Sequence, residues 1–196
     1  MMDVVFFGVF ILQVLTPVLS YPSGAPTSTC VDMMPRHGAD PQPNPGPYTI
    51  QLNSTVLQSG QAITVVIKGP DYKGLLLEAR SESGTNAIGT WQTPPVNTKF
   101  LECSGNAQGA ITHSNAVLKN NSTVYTWIPP ASAKSAFFMA TVVQQKVVFW
   151  VGVKSSTLTQ SAGGTSLDVN NSAGITATPL LMLLVVLLAN VQCLVA

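Results

Sequence analysis

The sequence predicts an all-β fold, an immunoglobulin-like antiparallel β-sandwich of eight to nine strands, and three observations lead to it. Apolar and polar residues alternate over short runs through the middle of the chain. Clusters of Gly, Pro, Asn, Asp and Ser separate those runs about every 8 to 12 residues, and no stretch outside the two chain ends keeps a helical 3.6-residue period.

Taken in order, residues 21–47 come first, with seven prolines and three glycines, a density that forbids regular helix and leaves an extended, turn-rich lead-in. Strands are expected at 48–52, 62–68, 74–80, 89–92, 99–103, 109–114, 123–128, 136–144 and 147–153. The second is the clearest, because Ile63, Val65 and Ile67 fall on one face and Thr64, Val66 and Lys68 on the other. Punctuation is strong at Gly69-Pro70-Asp71, Ser83-Gly84-Thr85, Pro94-Pro95, Ser104-Gly105-Asn106 and Pro129-Pro130. Core candidates are Ile63, Val65, Ile67, Leu75, Leu77, Phe138, Val142, Phe149 and Val151. Residues 154–173 return to Ser, Thr, Gly and Asn and read as a flexible stalk.

Composition sets the class of partner. Of 196 residues 46% are apolar, but only 9% are charged against a usual share near 25%, and nine basic residues almost cancel eight acidic ones. Arg36, Lys68, Lys73, Arg80, Lys99, Lys119, Lys134, Lys146 and Lys154 are scattered singly, so the clustered basic surface that nucleic acid requires is not expected. Outward Thr, Ser, Asn and Gln supply solubility instead, and a partner is expected to be met through polar and aromatic contacts with little electrostatic steering.

Much of the apolarity sits at the ends. Residues 1–20 read as a secretory signal peptide, an apolar run broken by Pro17 and closed by small residues near Ser20, although its start carries Asp3 and no Lys or Arg. The run from Leu180 to Ala196 is short for a membrane anchor and has no basic flank, since no charge follows Asp168. Small residues at Asn170-Asn171-Ser172-Ala173-Gly174, a polar spacer and the apolar tail form the pattern of a glycosylphosphatidylinositol signal over 174–196, with Asn171 or Ser172 as the attachment residue. A retained membrane tail is the alternative.

Three cysteines are present, and Cys193 lies in that tail. Cys30 and Cys103 remain, and two exported cysteines most often pair. Glycan acceptor motifs begin at Asn53, Asn120, Asn121 and Asn170.

Chemistry is thinly supplied. His113 and Ser114 are strand neighbours that point to opposite faces, so they do not form a nucleophile–base pair. Asp71, Glu78, Glu82 and Glu102 show no glycosidase-like spacing, and Glu78 with Arg80, two apart on one strand, reads as a surface ion pair. Neither enzyme activity nor a cofactor is expected. His37, His113 and the Met33/Met34 pair could be imagined as a copper site, with structural hydrogen bonding the preferred role. Trp91, Trp127 and Trp150 are either core or a carbohydrate-facing surface.

The ordered motifs resemble the reeler (reelin N-terminal) domain. They are Tyr21-Pro22-Ser23-Gly24-Ala25; Cys30 followed by Met34-Pro35 and His37-Gly38; Gly69-Pro70 with Lys73-Gly74; and Leu76-Leu77-Glu78-Ala79-Arg80. Further along come Cys103-Ser104-Gly105, Thr112-His113-Ser114, Trp127-Ile128-Pro129-Pro130, Ala140-Thr141-Val142-Val143 and Phe149-Trp150-Val151. The likeness covers residues 21–153. It implies an immunoglobulin-like sandwich with a Cys30–Cys103 bridge and a role in binding. Small members of the family look like insect defence proteins associated with microbial surfaces; others precede a haem-bearing membrane domain in ferric-chelate reductase-like proteins; another begins reelin. The expectation is a cell-surface, lipid-anchored or secreted module that recognises a microbial glycan or glycolipid, with a metal-related accessory role or matrix contact as alternatives.

Overall fold

The computed structural model describes residues 21–160. The expected signal peptide, the later part of the expected stalk, the apolar tail and the positions Asn170, Asn171 and Ser172 lie outside them. Among the described residues no helix is long and apolar enough to cross a membrane.

Eleven strands follow one 3₁₀ turn at Thr27–Thr29: β1 (Thr49–Leu52), β2 (Val56–Leu57), β3 (Ile63–Lys68), β4 (Gly74–Arg80), β5 (Thr90–Trp91), β6 (Thr98–Cys103), β7 (Asn106–His113), β8 (Val124–Ile128), β9 (Ser135–Gln145), β10 (Val148–Lys154) and β11 (Leu158–Gln160). Nine of them lie where alternation and turn residues place them. The exceptions are β2 and β11, two and three residues long and too short to show a period.

One sheet has the order β1-β3-β8-β5, the other β2-β11-β9-β4-β7-β6, with β10 also beside β9. Neighbours run antiparallel except β11 and β2, which are parallel. The chain expected as stalk from residue 154 therefore stays in the sheet to Gln160. Leu158 is fully buried opposite Ala136, and the Ser155 hydroxyl accepts from the Phe138 N–H at 2.9 Å.

Apolar residues on the facing sides of the sheets build the core. Ile63, Val65 and Ile67 of β3, Tyr125 and Trp127 of β8, and Trp91 of β5 meet Leu75, Leu77 and Ala79 of β4 and Phe138, Ala140 and Val142 of β9. Trp91 and Trp127 are almost wholly buried, and their indole N–H groups donate to the carbonyls of Gly109 and Ile88. Gly89 makes room for this packing, because its φ is +69° and a Cβ there would run into the Trp127 ring.

One core expectation, Val151, needs correction. Register shifts along β10, between Val148 and Phe149 and again between Trp150 and Val153, put Trp150 into the main core. Phe149 is buried on the other side, edge-on to the His37 ring, and Val151 is only half-buried. The three tryptophans are thus packing residues and not a carbohydrate-facing surface.

Tyr48 packs edge-on against Tyr72 and Trp150, and its buried hydroxyl has no hydrogen-bond partner among the described residues. An unpaired buried hydroxyl costs about 1–3 kcal/mol of desolvation. Tyr48→Phe is accordingly expected to unfold at an equal or higher denaturant concentration, and a lower midpoint would reveal a partner for that oxygen.

Candidate binding groove and the charged clasp beneath the lead-in

All seven residues of β4 are buried. Odd-numbered positions face the core between the sheets. Leu76 faces the other way and joins Cys30, Met33, Leu101, Cys103 and Ala110 in a second cluster, where the lead-in supplies the cover. Cys30 and Cys103 form a disulfide that fastens this lead-in to the end of β6.

Glu78 and Arg80 share that covered face. The expected surface ion pair is therefore a buried one, with relative side-chain exposures of 0% and 4%. Alternation assigned these residues correctly to the side away from the core, but the proline-rich strap lies over that side. Arg80 donates through Nε and Nη2 to Glu78 Oε2 at 3.0 and 2.9 Å. Its Nη2 also reaches the carbonyl oxygens of Cys30 and Val31. The guanidinium thus clasps the lead-in from beneath. Burial pushes the Glu78 carboxyl up to about 7, with the Arg80 charge and hydrogen bonds pulling the other way. Cys30, Glu78 and Cys103 put possible ligand atoms within 4.8 Å of one another. The sulfurs are bonded to each other and the carboxylate is engaged by Arg80, so this cluster ties the strap down and does not fit an ion.

A second clasp lies at His113. Its Nε2 donates to the Tyr21 carbonyl at 2.9 Å and its Nδ1 accepts from the Leu75 N–H at 3.2 Å. Burial holds the imidazole below its ordinary value; its contacts with the Tyr21 and Leu75 carbonyls oppose this, and the charges of Lys119 and Lys99 add to the lowering. His37 bonds the Lys146 carbonyl at 2.7 Å. Both histidines hydrogen-bond backbone carbonyls of distant segments.

The sign of the His113 shift gives a pH dependence. The folded state favours neutral imidazole, so the stability it contributes is present above pH 6.5 and is lost as pH falls through the lower folded-state value. Amide protection at Gly24 and Ala25, whose N–H groups bond Tyr21 O and Thr112 Oγ1, is expected to drop on acidification. Hydrogen exchange checks this, and His113→Asn should abolish the pH dependence while His37→Asn leaves it in place.

Lys119 is buried, and its ammonium donates to the carbonyls of Lys73 and Val117 at 2.9 Å and of Asn115 at 3.3 Å, closing the loop after β7 onto the start of β4. Burial lowers its pKa to about 8. Nothing in the local sequence distinguishes this lysine from the exposed ones.

Between the lead-in and the β9–β10 hairpin lies an open cleft of about 390 Å³. Tyr21, Pro22, His37, Lys73, His113 and Lys146 are among its walls, and no Asp or Glu of the described residues lines it. A tighter apolar slot of about 30 Å³ continues beneath it, between Met33 and Leu76. Cations scattered through the sequence are thus gathered at one end of the sandwich by separate loops. Asn53, Asn120 and Asn121 lie at or near the surface. The Asn121 side-chain oxygen accepts from the Gly69 N–H at 3.0 Å, beside this end.

The reeler domain family model matches residues 28–166 of the chain. The chain belongs to the reeler family. This reeler protein is 39% identical over 156 residues to "Putative defense protein 3" of Antheraea mylitta, an alignment covering 77% of this chain and 93% of that protein. It is 33% identical over 154 residues to "Putative ferric-chelate reductase 1" of Danio rerio, covering 76% of this chain but 27% of that one. A crystal structure of the human F-spondin reeler domain aligns with a TM-score of 0.49 at 18% identity, covering 63% of this chain and 94% of that one.

Proposed function

We propose that this reeler protein is an extracellular, membrane-tethered binding protein of innate immunity that recognises microbial surfaces. The observation that carries the reading is the alignment over 93% of the length of a moth protein named for defence. Three features support it. The Cys30–Cys103 bridge suits an oxidising compartment; the surface positions of Asn53, Asn120 and Asn121 suit glycosylation in the secretory route; and a cleft walled by lysines without carboxylates suits the acidic polymers of microbial envelopes. A metal-handling role would have to recruit His113, whose ring nitrogens are already held by Tyr21 and Leu75.

Binding of fluorescent bacteria and of lipopolysaccharide to the purified glycoprotein, set against copper and iron titration of the same sample, tests the reading. Saturable microbial binding is expected, and stoichiometric metal uptake without it would sink the proposal. The tether is tested by treating expressing cells with phosphatidylinositol-specific phospholipase C, which should release the protein if Asn171 or Ser172 carries the lipid.

A further inference from the structure

The cleft at the β9–β10 end can be given a ligand chemistry. Its walls come from the lead-in (Tyr21, Pro22, His37), from the start of β4 (Lys73, Gly74), and from the β9–β10 turn (Gln145, Lys146). Lys73 and Lys146 are exposed, and their hydrogen bonds to other described residues run through backbone atoms. Lys119 differs, since its ammonium is spent on three carbonyls and serves the loop. Asp71 is the nearest acidic residue in sequence to Lys73 and does not line the cleft. In a chain with 9% charged residues and a net charge of +1, a concave surface with two ammonium groups and no carboxylate among the described residues is a local excess that folding has assembled. Tyr21, Pro22 and Val143 add a partly apolar wall of the kind on which sugar rings pack. The volume lies within the range of small-molecule sites.

The place of the cleft in the fold adds a second argument. Strand β9 runs eleven residues from Ser135 to Gln145, or roughly 35 Å at the usual rise. The described chain ends at Gln160, whose N–H bonds the Lys134 carbonyl beside the first residue of β9. The cleft sits at the other end of the same strand. Gln160, the last described residue, and the cleft therefore lie at opposite ends of β9.

We propose that this cleft binds an acidic monosaccharide unit of a microbial glycan, with its phosphate or carboxylate held by Lys73 and Lys146 and its ring lying against Tyr21, Pro22 and Val143. This rests on the microbial-recognition reading above and adds a site and a ligand class to it. The full-length glycoprotein purified from a secretory host is titrated by NMR or calorimetry with glucose 1-phosphate, with glucuronate and with glucose. Both charged sugars, or one of them, should bind at least tenfold more tightly than glucose, with affinity falling as salt rises. Stronger binding of the phosphate arm points to phosphorylated headgroups, and stronger binding of the uronate arm to acidic polysaccharide. Lys73→Gln/Lys146→Gln should weaken the charged sugar at least tenfold. Lys134→Gln/Lys154→Gln, which removes the same charge elsewhere, should change it less than twofold. Equal binding of glucose, or equal losses in the two double variants, overturns the proposal. Full bacterial binding by the Lys73→Gln/Lys146→Gln protein overturns the cleft but leaves the broader reading standing. Charged-sugar binding without bacterial binding does the reverse.

Discussion

Arg80→Met is expected to lower the unfolding free energy by about 3–5 kcal/mol, because it leaves the Glu78 carboxyl buried without its partner. The loss is measured by urea unfolding and should depend on pH in a defined direction. Glu78 has a folded-state pKa raised to about 7 from the ordinary glutamate value of 4.5. A raised carboxyl favours the protonated form in the folded state, so its contribution is full below pH 4.5 and is lost as pH rises through the folded value. Without Arg80 the folded value moves higher still. Between pH 4.5 and 7 parent and variant lose stability in parallel, so the defect of the variant should deepen as pH rises beyond about 7, where only the variant still loses stability. Glu78→Leu in the same chain should restore part of the stability and flatten the pH dependence. Restoration stays partial because the Cys30 and Val31 carbonyls, which Arg80 satisfies, remain without their donor. An Arg80→Met protein as stable as the parent would show that the pair is not buried.

Removing the disulfide has an effect of similar size by a different route. The cysteines are 73 residues apart in sequence, and the chain-entropy model assigns about 4 kcal/mol to a loop of that length. Cys30→Ala/Cys103→Ala should lose about this much in chemical unfolding, with a larger denaturant dependence because the unfolded chain is no longer looped. Alanine is the cleaner replacement at 103. Glu78 Oε1 lies 3.2 Å from Cys103 Sγ, so a serine hydroxyl there would donate to the carboxylate and mask part of the loss. The Arg80 and disulfide variants both act on the lead-in, so their combination should cost less than the sum. Strict additivity would mean that they fasten separate parts of the molecule.

The strands were legible because a two-residue period needs only four or five residues to declare itself, as Ile63–Lys68 shows. What covers each sheet was not legible. Period 2 assigns Glu78 and Arg80 to the face away from Leu75 and Leu77, but whether that face meets water depends on the lead-in, whose prolines carry no period. The same gap explains β11. Three residues of polar, stalk-like surroundings pair because Leu158 finds a buried place beside Ala136, which is a tertiary fact. The cleft was half legible. His37 and His113 drew notice by residue type, while Lys73 and Lys146 reach it only because the loop before β4 and the β9–β10 turn close on the same end of the sandwich. The chain is nearly neutral as a whole, and this cleft brings Lys73 and Lys146 together with no Asp or Glu of the described residues in its lining.

The short β11 also decides how the domain meets force. A force applied at Gln160 along the strand would draw β11 away from the cleft, since β11 runs antiparallel to β9. Its hydrogen bonds to Thr55 and Lys134, at 3.1 and 2.9 Å, run across that axis. They are strained together in shear, not opened one by one as in a peeling hairpin, and Leu158 must leave the core before they part. A three-residue strand is thus expected to act as a mechanical stop against a load applied along it at Gln160, the last described residue.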